Sequence, residues 1–390
     1  MKNENIRVPK LRFKEFSGEW EEKTLGNLAD IKTGNRDTQD KVDNGTYPFF
    51  VRSQTIERIN SYSFDGEAIL TAGDGVGVGK VFHYLNEKFD YHQRVYNIHN
   101  FKNNVFGKYI FFYFSENFYK RVIRLSAKNS VDSVRMEMIS KMLIPLPQKQ
   151  EQEKIASFLS SIDKKINQLS KKDELLQNYK KAMMQKIFSQ KLRFKKADGS
   201  DYTKWEEKKL NQITKVYDGT HSTPKYVKSG VPFYSVEHVT ANQFEETKYI
   251  SEKVFEKENE RVKLEKNDIL MTRIGDIGTS RLIDWDVRAS FYVSLALIKN
   301  NKNFSSSFLN QFIKSDYFQR QLYSKTLHVA FPKKINLGEI GECLIKLPSL
   351  EEQIKIANFL SSLDTKISQN KKALEETQKF KKALLQKMFV

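Results

Sequence analysis

Cysteine is nearly absent: Cys343 stands alone in 390 residues, so no internal disulfide can form and nothing points to an oxidising compartment. Long apolar runs are also missing. None approaches the roughly 18 to 20 residues that a helix needs to span a bilayer, and the stretch Met1 to Lys10 is too polar for a secretory signal. A prokaryotic cytoplasm is therefore the expected location, with no membrane partner. Acidic residues are scarce relative to basic ones, 48 against 66, which leaves a formal net charge of +18. Such an excess favours a polyanion as partner, nucleic acid before a membrane surface. The plainer alternative is that the lysines only solubilise the chain.

Signatures of catalysis are missing as well. "GDGVGVGK" (Gly73 to Lys80) resembles a phosphate loop but has neither the required Gly-to-Gly spacing nor a Ser or Thr after the Lys. A dinucleotide or methyl-donor reading fails too, because no acidic residue follows at the right distance in a βαβ pattern. The segment is expected to form a glycine-rich hairpin turn. Metal-dependent nucleases place an Asp ahead of Glu-x-Lys; no Asp precedes Glu21-Glu22-Lys23, and this triplet and Glu206-Glu207-Lys208 are read as surface residues where strands begin. The six histidines include no i,i+4 pair, and one cysteine cannot build a zinc site. An Asn-Pro-Pro-aromatic motif of adenine methyltransferases is absent. No catalytic, cofactor-binding or metal-binding residue is assigned, and the chain is expected to bind while another protein reacts.

What the chain does contain is a duplication. Leu143 to Ile166 returns 201 residues later as Leu344 to Ile367, with 16 of 24 positions identical and no gap, and Lys180 to Phe188 is answered by Lys381 to Phe389. Elsewhere the halves agree only at markers: "LRF" at Leu11 and Leu192, "WEEK" at Trp20 and Trp205, "YPFFVRSQ" from Tyr47 against "VPFYSVEH" from Val231, "SENF" from Ser115 against "SDYF" from Ser315. Residues at loop-like positions between the markers differ freely. Each half thus reads as a scaffold of roughly 145 residues followed by a helical segment of about 40. The predicted segments are 1–146, 147–191, 192–347 and 348–390. Loops that diverge on a common scaffold are where recognition usually sits.

After Pro147 and Pro348 the apolar spacing becomes helical. Ile155, Leu159, Ile162, Ile166 and Leu169 step by 4, 3, 4, 3, and Ile356, Leu360, Leu363 and Ile367 repeat the seam, with Phe158 and Phe359 beside it. Both seams turn partly polar further on, at Asp173, Lys180, Asn370 and Lys381. Polar seam residues restrict register, so the helices, each on the order of 60 Å long, are expected to pair with each other. Parallel and antiparallel pairings are both open; the internal pseudo-two-fold favours antiparallel. Ser160, Ser161, Asp163 and Lys165 repeat on the outer face, which suggests that each copy docks the same partner.

Together these segments, above all "LPSLEEQIKIANFLSSLDTKI" with its earlier twin, resemble the specificity subunit of type I restriction-modification systems, the HsdS family. "VPKLRFKEFSGEWEEKTLGNL", "DILMTRIGDIGTSRL" and "FIKSDYFQRQL" carry the likeness elsewhere, so it covers the whole chain. The resemblance implies an α+β fold: two tandem pseudo-symmetric α/β target-recognition domains, separated by two long helices in an antiparallel coiled coil. Each domain would read one half of a bipartite double-stranded DNA target. The helices would fix the gap and dock two methyltransferase subunits, with a motor and endonuclease subunit in the complex. S-adenosylmethionine, ATP and magnesium are then expected on those partners and not on this chain.

Base readers should be polar side chains on the divergent loops, with Lys and Arg nearby on phosphates. In the first domain the candidates are Asn35, Arg36, Arg52, Ser53, Gln54, Arg94, Lys128 and Asn129. In the second they are Thr220, His221, Ser222, Glu237, His238, Arg273, Asp276 and Lys333. Two rival readings predict different behaviour. A self-sufficient methyltransferase or nuclease would act without added subunits, and an assembly scaffold with incidental DNA binding would tolerate exchange of its loops.

Overall fold

The computed structural model describes residues 8–126 and 133–389. The chain divides into two compact units: the first combines the residues up to Lys171 with those from Lys371 onward, and the second runs from Lys172 to Asn370. These units do not coincide with the four segments read from the sequence. Each long helix is shared, because its N-terminal part packs on one core and its C-terminal part on the other.

In the first unit the elements are β1 (Glu21–Thr24), β2 (Asp30–Thr33), β3 (Tyr47–Phe50), β4 (Ile56–Ile59), β5 (Phe64–Ala72), β6 (Phe82–Tyr91), β7 (Val95–His99), α1 (Gly107–Leu125), α2 (Met136–Ser140), β8 (Leu143–Leu146) and the start of α3 (Lys149–Phe188). One sheet has the order β2-β7-β5-β6-β3-β4, antiparallel except for the parallel pair β3 and β6; β1 and β8 form a separate antiparallel ribbon. The "AILTA" end of β5 is buried on both faces, as expected of an uninterrupted apolar run in a central strand. Helix α1 covers one face with Tyr109, Ile110, Phe112, Phe114, Phe118 and Val122.

The second unit contains β9 (Glu206–Lys209), α4 (Leu210–Ile213), β10 (Val216–Asp218), β11 (Tyr226–Val227), β12 (Val231–Tyr234), α5 (Val236–Ala241), β13 (Lys248–Ile250), α6 (Glu252–Asn259), β14 (Ile269–Ile274), β15 (Asp276–Leu282), β16 (Ser290–Phe291), β17 (Leu295–Ile298), α7 (Ser306–Ile313), α8 (Asp316–Lys325), α9 (Leu337–Gly341), β18 (Leu344–Leu347) and most of α10 (Leu350–Met388). Its sheets have the orders β10-β17-β14-β15 and β11-β13-β12-β16, with β12 and β16 parallel. This is the wiring of the first unit with two changes: the ten-residue β6 is replaced by two strands, β15 and β16, so a continuous sheet becomes two, and β11 is added at the edge beyond β13. The close crossing at the parallel pair is common to both. A Cβ on Gly34 or on Gly219 would lie 2.0 Å from the carbonyl oxygen of Tyr91 or Phe291, so only glycine fits at either place.

The repeated polar residues at the helix starts tie each helix to its own domain. Arg12 of the first "LRF" donates from Nε and Nη2 to the two oxygens of buried Glu151, at 2.8 and 2.7 Å. Arg193 of the second "LRF" does the same to buried Glu352, at 3.2 and 2.7 Å. The next residue also repeats its role: Gln152 accepts from the Phe106 amide and donates to the Pro147 carbonyl, and Gln353 accepts from the Ser305 amide and donates to the Pro348 carbonyl.

The seam residues are core residues. Ile155, Leu159 and Ile162 share a cluster with Leu384, Met388 and Phe389, with Phe158 and Ile166 packed against it. Ile356 and Leu360 share another with Ile187 and Phe188, with Phe359 against it. Leu363 is buried and Ile367 half-buried. Asp163 pairs with Lys381 at 2.5 Å in the first unit, and Asp364 pairs with Lys180 at 2.5 Å in the second. The faithful repetition of Asp163 therefore has a reason inside the molecule, which the expectation of a shared docking face did not require. Ser161 is also committed, since its hydroxyl donates to the Phe158 carbonyl, as that of Ser362 does to Phe359.

Candidate nucleic-acid interface

In the first unit, four loops meet at the turn between β6 and β7. The His92 amide donates to the Phe50 carbonyl at 2.9 Å, the Gln93 amide to the Arg36 carbonyl at 2.8 Å, and the Gly73 amide to the Arg94 carbonyl at 2.7 Å. Backbone bonds thus bring Asn35, Arg36, Arg52, Ser53, Gln54 and Arg94 from separate stretches of sequence into one neighbourhood. Within it, Asp74 lies between two guanidinium groups, 3.1 Å from Arg52 Nη1 and 3.7 Å from Arg94 Nε. Both arginines remain exposed, so the carboxylate orients them without consuming their remaining donors, and a planar fork of N–H groups suits guanine O6 and N7 or a phosphate.

Arg36 is more committed. Its Nε donates to fully buried Asp90 at 3.2 Å and its Nη2 to the Ser61 hydroxyl at 3.0 Å. Ser53 donates to the Thr55 carbonyl, while Asn35 and Gln54 face solvent. His92 is buried beneath the turn and accepts the Arg94 amide at Nδ1. Burial first, then the charges of Arg52 and Arg94, push its pKa below the usual value against the opposing carboxylates of Asp37 and Asp74. The "GDGVGVGK" segment closes the antiparallel β5–β6 hairpin, as expected, and does so through a 3-10 turn at Gly75–Gly77. The reason is its fit on the neighbouring loop: a Cβ on Gly77 would lie 2.5 Å from the Arg52 carbonyl oxygen. Lys128 and Asn129 lie outside the described residues.

The second unit gathers its candidates in three places. Thr220, His221 and Arg273 surround Asp218, with His221 Nε2 at 2.9 Å, Arg273 Nη1 at 3.9 Å and a shorter ion pair from Arg261. Burial raises the Asp218 pKa, but the hydrogen bond and charge of Arg261, with His221 and Arg273, outweigh it and hold the carboxyl below its usual range. His221 and Ser222 are exposed, whereas Thr220 is buried with its amide on the Phe291 carbonyl. Arg273 is turned inward: its Nε and Nη1 donate to the carbonyls of Ile335 and Val293 at 3.2 and 2.7 Å, and burial lowers its pKa.

Glu237 and His238 belong to a cleft of about 270 Å³ with Tyr226, Lys248 and Tyr292 on its walls. Glu237 is exposed and accepts from the Ser235 hydroxyl, while buried His238 accepts the Ser235 amide at Nδ1. Asp276 and Lys333 meet at the turn after β14. Asp276 accepts from the Thr272 hydroxyl at 2.8 Å, and the Lys333 carbonyl accepts the Gly275 amide at 2.8 Å while its side chain is exposed. Beside them opens a larger cleft of about 610 Å³ bordered by Gln319, Arg320, Tyr323 and His328.

Sequence reasoning did not single out Asp74, Asp90, Asp218 or Arg261, although these residues organise the basic ones. An isolated Asp in a loop carries no spacing signal, and its partners stand far off in sequence, as Arg36 does at 54 residues from Asp90. Among the described residues no group of three His, Cys, Asp or Glu side chains is placed to hold a metal ion, and no helix is long and apolar enough to cross a membrane.

Comparison with known proteins matches residues 17–177 and 202–378 to the model of the type I restriction modification DNA specificity domain. The type I restriction enzyme MjaVIII specificity subunit of Methanocaldococcus jannaschii is 27% identical over 406 aligned positions, covering 96% of this chain and 94% of that one. The putative MjaX specificity subunit of the same organism is 27% identical over 73% of this chain and 67% of its own length. A crystal structure of a type I restriction-modification S subunit from M. genitalium superposes with a TM-score of 0.71, covering 98% of this chain and 99% of that one at 20% identity.

Proposed function

We propose, for a chain that belongs to the type I restriction modification DNA specificity family with two copies of its domain, that each unit reads one half of a bipartite double-stranded DNA sequence. The observation that carries this reading is the contrast between wiring and loops. The two units share the core of their strand order and the same Arg-to-Glu anchor at the helix start, yet the loop clusters on that common scaffold are built from different chemistry. The first offers Arg52 and Arg94 on either side of Asp74; the second offers His221 on Asp218, Glu237 in a cleft, and Lys333 at a turn. Two copies of one scaffold with unlike reading surfaces suit an asymmetric target.

The long helices, in this reading, fix the gap between half-sites and dock two methyltransferase subunits. An antiparallel pairing is supported by the two ion pairs: the α3 partner moves from residue 163 to 180 while the α10 partner moves from 381 to 364. Adenine methylation with S-adenosylmethionine belongs to the docked subunits, and ATP- and magnesium-dependent translocation and cleavage to a restriction subunit, all in a prokaryotic cytoplasm. The chain itself supplies address and geometry. Its excess of positive charge makes binding by the assembled complex fall steeply with salt.

Co-expression with a methyltransferase subunit of this class, followed by genome-wide mapping of N6-methyladenine, tests the proposal. The expected result is a two-part asymmetric motif with a fixed gap. A continuous motif, or no new methylation with a competent partner, contradicts it.

A further inference from the structure

The loop between α8 and α9 ends in four consecutive residues without a polar side chain, Val329, Ala330, Phe331 and Pro332. Val329 is 98% exposed and Phe331 104% exposed, so neither side chain finds a neighbour. The foot of the loop is fixed. The Leu327 amide donates to the Lys334 carbonyl at 2.8 Å, the Gly275 amide to the Lys333 carbonyl at 2.8 Å, and the Ile335 amide to the Arg273 carbonyl at 3.0 Å. His328 packs on Tyr323 with ring centroids 4.5 Å apart.

Lys333 and Lys334 follow the tip in the chain, and Arg320 lines the same cleft as Lys333 and His328. Among the described residues, Arg320, Lys333 and Lys334 form no side-chain hydrogen bond or ion pair with another residue, and Lys325 pairs with Glu339 at 3.0 Å. One aromatic ring on a fixed stem among free cations is too narrow to be the apolar core of a protein interface. It matches what DNA-deforming proteins place between base steps: an apolar wedge flanked by groups that hold phosphates.

We propose that Val329–Pro332 is such a wedge, with Phe331 entering the base stack of the half-site read by the second unit. The inference rests on the DNA-reading function proposed above and adds a shape-dependent component to it. The step that opens would be selected by the cost of unstacking it, not by a hydrogen bond to a base edge.

The test uses the assembled complex with its methyltransferase subunits, without methyl donor, on duplexes carrying the mapped sequence. 2-Aminopurine replaces successive bases of that half-site, leaving out the base that becomes methylated. A rise in fluorescence is expected at one step, lost in Phe331→Ala and kept in Phe331→Leu. Affinity of Phe331→Ala should fall roughly tenfold while the salt dependence stays unchanged, because no phosphate contact is removed. Fluorescence and affinity unaltered by Phe331→Ala would overturn the wedge. So would a Phe331→Ala variant that weakens assembly of the complex without DNA, which would make the tip a protein contact. Absence of any bipartite motif overturns the underlying reading, whereas a motif without Phe331-dependent unstacking overturns the wedge alone.

Discussion

Glu352 holds three hydrogen bonds on one fully buried carboxylate: two from Arg193, at 3.2 and 2.7 Å, and one from the Trp205 indole at 3.0 Å. Removing the carboxylate leaves the Trp205 indole and the Arg193 guanidinium, whose side chain is 23% exposed, without their shared acceptor, at a cost of about 1–3 kcal/mol. Glu352→Ala is therefore expected to lower the stability of the second unit by that order, read as a shifted midpoint in urea unfolding, while replacement of exposed Glu351 should change little. The sequence made both "LRF" motifs and both "EQ" pairs visible as repeats. It did not show that they touch, because Arg193 and Glu352 are 159 positions apart and no local pattern joins them. For the same reason Arg52 and Arg94 could be singled out as loop cations while Asp74, which orients them, could not.

At the scale of elements, the helices were the most legible part of the chain. A 4-3-4-3 apolar spacing after a proline is a strong signal, and its positions Ile155, Leu159, Ile356 and Leu360 are core residues. Strands were legible where a half repeated, as at "WEEK", whose last three residues open β1 and β9. The division of one long strand into β15 and β16 was not, because Ile283 to Ala289 carries no glycine or proline to mark a break. The polar seam positions make a sharp prediction. Asp163→Lys sets two cations against each other where Lys381 now meets a carboxylate. It should destabilise the first unit, and adding Lys381→Asp should restore it, with a coupling of roughly 0.5–3 kcal/mol in a double-mutant cycle of unfolding free energies. Additive losses would show that the pair holds no register.

For the molecule as a whole, the duplication and the charge were plain in the sequence and led to the right family. The units were not, because the sequence suggested helices separate from domains, whereas each unit takes half of both helices into its own core. Burial decides this, and apolar spacing on a helix does not say which domain the helix will cover. The consequence is that each unit carries its own anchor and its own loops, and so should carry its own half of the address. Exchange of residues 192–347 for the matching segment of another specificity subunit, followed by methylation mapping of the co-expressed complex, tests this claim most directly. One half-site should change while the other half and the gap are retained. If both halves change together, the two units do not read independently and the account is wrong.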